Sequence, residues 1–164
     1  GIELVYGGAS MGLMGVISKS CLEAGGDVTG VIPERLIGMG VANENCTRLV
    51  PVKDMHGRKA VMMDLADGFI ALPGGPGTME EAFEVFAWMQ LGIHEKPLAF
   101  YDMGGFYGGL MEFLRTMHGA GFLRREHLEY CIVGDDPEAL LDSLERYAHR
   151  SCEKWVHREH HRVS

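Results

Sequence analysis

No run of basic residues, no closely spaced pair of cysteines and no apolar stretch of membrane-spanning length occurs in these 164 residues. Each absence removes a class of protein. The formal charge is −8, so the basic face that neutralises a phosphate backbone is missing and nucleic acid is a poor partner. Small anionic ligands stay open, because a few local donors suffice for them. The four cysteines, Cys21, Cys46, Cys131 and Cys152, form no Cys-x-x-Cys pair, which points away from a zinc ribbon or a small disulfide scaffold. A membrane helix needs roughly 18 consecutive apolar residues, and no such run exists. Residues 1–6 show neither the charged region nor the cleavage pattern of a signal peptide. The expectation is a cytoplasmic protein with no membrane and no nucleic-acid partner.

What is plentiful is glycine. Its 23 residues gather near positions 7–15, 74–77 and 104–109, a pattern of specific backbone sites, not of low complexity. Hydrophobic residues make up 46% and charged residues 23%, an ordinary globular balance. With this length and no internal repeat or linker, a single domain over residues 1–150 is expected, with a polar, histidine-rich tail at 151–164.

Short β-branched runs alternate with longer segments of helical period. Strands are predicted at 3–6, 28–32, 47–50, 69–72, 98–101 and 131–133, and helices near 11–24, 55–66, 78–91, 105–118 and 137–149. In the third helix Met79, Ala82, Phe83, Phe86 and Met89 share one face. Asp136-Pro137 supplies an N-cap and a proline at the first position of the last helix. This alternation implies an α/β fold with a mostly parallel sheet and helices on both faces. Ligands in such sheets bind beyond the carboxyl ends of the strands.

Two glycine-rich segments fall at that edge. Gly7-Gly8-Ala9-Ser10-Met11-Gly12-Leu13-Met14-Gly15 follows the first strand, and Pro73-Gly74-Gly75-Pro76-Gly77-Thr78 follows the fourth. A helix N-terminus offers unpaired N–H groups and about half a positive charge, and glycine lets phosphate oxygens come close. A bare strand-to-helix turn explains one such loop; two favour a bound nucleotide phosphate. Neither is a standard fingerprint. No lysine follows Gly77 as a Walker loop requires, and the Gly8/Gly12 spacing departs from the dinucleotide pattern. An ATPase and an NAD-dependent dehydrogenase are therefore poor readings.

The second loop leads into Glu80 and Glu81. Dipole-favoured surface acids account for Glu80, whereas Glu81 lies with Val85 and Trp88, about one turn from the phosphate position. Upstream, Met55-His56-Gly57-Arg58-Lys59 opens a helix. Lys59 interrupts an apolar line with Met55, Met62 and Ala66, which snorkelling explains as well as ligand contact does. Arg58 offers a planar fork of donors suited to phosphate or carboxylate. His56 reads as structural or as a hydrogen-bond donor near the site, and the 11 methionines as core packing. His157, His160 and His161 lack a partner carboxylate, so no metal site is expected.

Together these residues resemble the LONELY GUY family, the cytokinin-activating phosphoribohydrolases often labelled lysine decarboxylases. The family element P-G-G-x-G-T-x-x-E matches Pro73 through Glu81, and M-H-x-R-K matches Met55 through Lys59. Further agreement runs through Gly30-Val31-Ile32-Pro33, Gln90-Leu91-Gly92, Lys96-Pro97 and Gly105-Phe106-Tyr107, so the likeness covers about residues 3–147. It implies a Rossmann-like sheet and hydrolysis of the N-glycosidic bond of a purine nucleoside 5′-monophosphate, giving free base and ribose 5-phosphate. Arg58 and Glu81 would be the catalytic pair. Gly74, Gly75, Gly77 and Thr78 would cradle the phosphate, with Lys59, Gly8, Gly12 and Met55 also lining the substrate. The resemblance implies a homodimer and neither metal nor organic cofactor. It also implies that the family's first strand and helix are missing from this chain. Decarboxylase chemistry finds no support, since nothing marks a pyridoxal-phosphate lysine. The rivals are a non-catalytic nucleotide-binding module, which would not require Glu81, and a DNA-processing relative, which the acidic balance disfavours.

Overall fold

The computed structural model describes residues 1–148, so the tail expected at 151–164, with its three histidines, lies outside the described residues. The chain divides into two compact units, residues 1–66 and residue 67 onward.

In the first unit, β1 (Leu4–Tyr6), β2 (Val28–Pro33) and β3 (Arg48–Val52) form a parallel sheet in that order. Tyr6 pairs with Gly30, and Gly30 with Leu49. Parallel neighbours need a crossover, and α1 (Gly12–Glu23) supplies the first, packing on β1 and β2. Every residue of β2 is buried, as its unbroken apolar and small-residue run Val-Thr-Gly-Val-Ile-Pro requires of a central strand. A short α2 (Glu34–Gly38) follows it, and α3 (Met55–Leu65) packs against all three strands. Asp54 caps α3 by accepting a hydrogen bond from the Gly57 N–H at 2.8 Å.

In the second unit, β4 (Phe69–Ala71), β5 (Leu98–Tyr101) and β6 (Cys131–Gly134) again form a parallel sheet in chain order. The connections are α4 (Pro76–Gln90) between β4 and β5, then α5 (Gly108–Gly119) and α6 (Arg125–Leu128) between β5 and β6. The last helix is α7 (Pro137–Glu145). Val85, Phe86, Met89, Leu98, Phe100, Leu114 and Leu140 are buried in this unit's core. Parallel strands joined by helices make this the expected α/β, Rossmann-like class.

The differences from the sequence reading are local and have physical causes. Helices α2 and α6 have five and four residues, too few for a 3.6-residue period to show. The helix expected from 105 begins at Gly108, because Gly104 and Gly105 hold φ of 66° and 76° in a 3-10 turn. Helix α4 begins at Pro76, two residues early, since the ring presets the first helical φ. Its buried face comprises Ala82, Val85, Phe86, Met89 and Gln90, with Met79 and Phe83 only half-buried. The stripe is therefore turned toward Val85. Asp136 caps α7 through the Ala139 N–H at 2.9 Å, with Pro137 at the first position, as expected.

Candidate functional site

In the first unit, the glycine segment leaves the carboxyl end of β1 and enters α1. Gly8 holds a φ of 75°, and a Cβ there would lie 2.9 Å from the Ile32 Cβ. Gly30 answers from β2: its own Cβ would lie 2.9 Å from the Gly8 Cα. The loop therefore rests backbone-to-backbone on the central strand. A side chain on Gly7 would overlap the Arg58 guanidinium, so the arginine from α3 lies directly over this loop. The Met55 sulfur is 4.0 Å from Arg58 Nη1. Gly12 has a φ of 59° and open space beside it, and Lys59 is buried, at 8% exposure. The sequence-predicted residues Gly8, Gly12, Met55, Arg58 and Lys59 thus all belong to this unit, with Gly7 as the hinge between loop and arginine.

Sequence reasoning missed what holds the loop. Residues 41–43 run across it: Ser10 N–H donates to the Val41 carbonyl at 3.0 Å, Ala9 bridges Ala42, and Asn43 N–H donates to the Gly8 carbonyl at 2.9 Å. Asn43 is buried, and its amide donates to Tyr6 Oη at 3.1 Å and Ser18 Oγ at 2.9 Å. Ser18 in turn donates to the Gly15 carbonyl at 3.1 Å. Burial and the neighbouring Cys46 thiol, 3.4 Å away, push the Tyr6 hydroxyl above its ordinary pKa, so it stays neutral near pH 7. The only local signal was a polar Asn-Glu-Asn stretch, which reads as a turn.

In the second unit, the other glycine loop follows β4 and caps α4. Met79 N–H donates to the Gly75 carbonyl at 3.2 Å, the first bond of the helix. The N–H groups of Gly77 and Thr78 precede it, and Pro76 has none, so two adjacent donors point out of the first turn. A Cβ on Gly74 would overlap Thr78 Oγ1, which explains that glycine by packing. Gly75 and Gly77 have no positive φ, and among the described residues no atom beyond their chain neighbours and the backbone of α4 lies within 4 Å of a notional Cβ. Among the described residues, no torsion or packing contact asks for glycine there. Behind the loop, the buried Tyr107 donates to the Leu72 carbonyl at 2.6 Å, and its ring meets Phe100 edge-on at 5.0 Å. Burial and the nearby Asp102 carboxylate raise the Tyr107 pKa, keeping it a donor that fixes the end of β4. Glu80 is exposed and Glu81 half-buried, so the two adjacent acids differ in environment as well as in position on the helix.

His94 is a structural residue. Its Nδ1 accepts from the Lys96 N–H at 3.2 Å and its Nε2 faces the Val85 carbonyl at 3.0 Å, which ties the turn after α4 back to the helix. Among the described residues, no three His, Cys, Asp or Glu side chains gather as a metal site, and no helix is long and apolar enough to cross a membrane.

The unexplained glycines give a direct test. Gly77→Ala should hold or slightly raise Tm, because alanine is the better helix former by about 1 kcal/mol. The same methyl would fill the space above the helix start. Affinity for a phosphate anion at this turn should fall by about tenfold, the scale of one charge-assisted hydrogen bond. Calorimetric titration beside thermal melting separates the two effects; unchanged affinity would mean that nothing approaches this turn.

Parallel strands whose glycine-rich carboxyl-end turns open into helices define a Rossmann-like protein, a class in which ligands bind beyond the carboxyl ends of the strands. Residues 14–144 match the family described as "Possible lysine decarboxylase", and the chain belongs to that family, as the motifs implied. Its relatives include "Probable cytokinin riboside 5′-monophosphate phosphoribohydrolase LOGL2" of Oryza sativa subsp. japonica, 43% identical over 90% of this chain and 60% of its own length. LOGL3 of the same organism, named as a probable enzyme of the same activity, is 43% identical over 90% of this chain and 70% of its own. "Cytokinin riboside 5′-monophosphate phosphoribohydrolase LOG5" of Arabidopsis thaliana is 42% identical over 89% of this chain and 64% of its own. The chain thus spans 60–70% of the length of these relatives.

Proposed function

We propose that the protein hydrolyses the N-glycosidic bond of a purine nucleoside 5′-monophosphate, AMP or an N6-substituted, cytokinin-type AMP. Water adds to the ribose C1′, the base leaves with a proton on nitrogen, and ribose 5-phosphate is the second product. The observation that carries this reading is the pair Gly75 and Gly77, which no backbone angle or packing contact requires, at a helix start suited to phosphate. Family membership and the activities for which the relatives are named support the same substrate class.

The roles follow from the chemistry. Breaking the glycosidic bond develops positive charge on the ribose, which the Glu81 carboxylate stabilises while orienting the water. Arg58 neutralises the phosphate or assists the departing base. Gly74, Gly75, Gly77 and Thr78 hold the phosphate, and Lys59, Gly8, Gly12 and Met55 line the substrate. The protein works in the cytoplasm as a homodimer, without metal or organic cofactor. A non-catalytic nucleotide-binding module is the weaker reading, because binding phosphate alone does not require Glu81.

Release of free adenine from AMP by the purified protein tests the proposal. Activity should persist in excess EDTA, since N–H groups and Arg58 supply the positive charge that a metal would otherwise bring. Complete loss on chelation, restored by Zn²⁺ or Mg²⁺, would sink this mechanism.

A further inference from the structure

The Asn43 amide reaches both ends of the first glycine loop. Tyr6 is the last residue of β1, immediately before Gly7, and Ser18 reaches back to the Gly15 carbonyl. The two N–H bonds of one Asn43 side chain go to these two hydroxyls, at 3.1 and 2.9 Å. Its Oδ1 accepts from the Asn45 N–H at 3.1 Å, which fixes which way the amide points. The side chain is 7% exposed.

Burying an amide costs free energy unless its hydrogen bonds are made, and a leucine of the same branched shape would occupy the site without that requirement. A buried polar hub with both donor N–H groups and its acceptor engaged rigidifies what it joins. Here it joins the entry and exit of the loop on which the Arg58 guanidinium lies. Serine is too short to span the two hydroxyls. Aspartate would keep the Oδ1 acceptor but lose both donors and bring a charge into the core.

We infer that Asn43 is a positioning residue: it braces the loop of residues 7–15 and, through Gly7, sets the place of Arg58 for catalysis. Its effect on catalysis rests on the phosphoribohydrolase reading; its effect on the loop does not. The strap formed by residues 41–43 holds the middle of the loop through main-chain bonds, and these survive any change of the Asn43 side chain. Removing the amide therefore loosens the two ends and leaves the rest of the unit in place.

The test uses Asn43→Ala, Asn43→Leu, which keeps the core filled if alanine folds poorly, and Tyr6→Phe, which removes one end of the brace. Hydrogen exchange by mass spectrometry should show the amides of residues 7–15 opening about tenfold faster, the scale of one net hydrogen bond, with β2 unchanged. On AMP, kcat should fall by roughly tenfold to a hundredfold, as for a misplaced catalytic group, while KM changes little. Unaltered exchange at 7–15, or equal acceleration throughout the unit, overturns the brace. Faster exchange with an unchanged kcat overturns its link to Arg58. If the unmutated protein releases no base from AMP, the functional reading fails, and the exchange data alone decide whether Asn43 holds the loop.

Discussion

AMP should be cleaved about 10⁴-fold more efficiently, in kcat/KM, than adenosine, the discrimination typical of a site built for a polar group that the analogue lacks. Without the phosphate, the Gly77 and Thr78 N–H groups at the start of α4 lose their partner. The phosphate is remote from the bond that breaks, so its binding energy also positions the ribose against Glu81. Part of the loss should therefore appear in kcat as well as in KM. The measurement is base release from paired substrates, AMP against adenosine and an N6-substituted AMP against its nucleoside. Equal rates on both members of a pair would reduce the second glycine loop to a turn.

The second large effect is expected at Glu81. Glu81→Gln should lower kcat by roughly 10²–10³, because its carboxylate is needed chiefly as charge develops in the transition state. AMP binding should stay within several-fold of the unmutated protein, since glutamine keeps the shape and the phosphate contacts are elsewhere. Glu80→Gln should change little. The two positions are adjacent in α4 but unlike: Glu80 is exposed, whereas Glu81 is half-buried one turn before the buried Val85. Single-turnover and binding measurements on both variants separate chemistry from affinity. Indistinguishable behaviour of the two would remove the special role given to Glu81.

The fold and the candidate residues were readable in the sequence to an uneven degree. The strands stand out because β2 and β5 are continuous runs of apolar, small or β-branched residues, buried throughout β2 and in the first three residues of β5, and glycine or proline bounds most of the others. Pro76, Asp54 and Asp136 mark helix starts by local chemistry, so the starts of α3, α4 and α7 are legible within two residues, whereas α7 ends at Glu145, four residues before the expected 149. The rotation of the α4 stripe toward Val85 was not, because neighbouring elements decide which of several apolar residues faces the core. The candidate site is legible where it depends on residue type and spacing, as in Pro73 through Glu81. It is not legible where a distant segment completes it. Asn43 is 37 residues from Tyr6 and 25 from Ser18, and Tyr107 is 35 from Leu72. No window of local pattern spans such distances.

The contact between Gly8 and Gly30 has an evolutionary reading. Gly30 is closed by the Gly8 backbone, and Gly8 by the Ile32 Cβ and the Val31 backbone of the same strand, so a second substitution at either position cannot make room for the first. Gly25 and Gly40 are different: both hold a positive φ in open space, a conformation that asparagine also visits. In a pool of randomised variants selected only for folding, positions 8 and 30 should therefore stay invariant together, while 25 and 40 admit asparagine. Glycine is thus held in two ways in this chain, by a neighbour's atoms and by its own torsion, with Gly8 held by both, and only where torsion acts alone does the sequence have a way out.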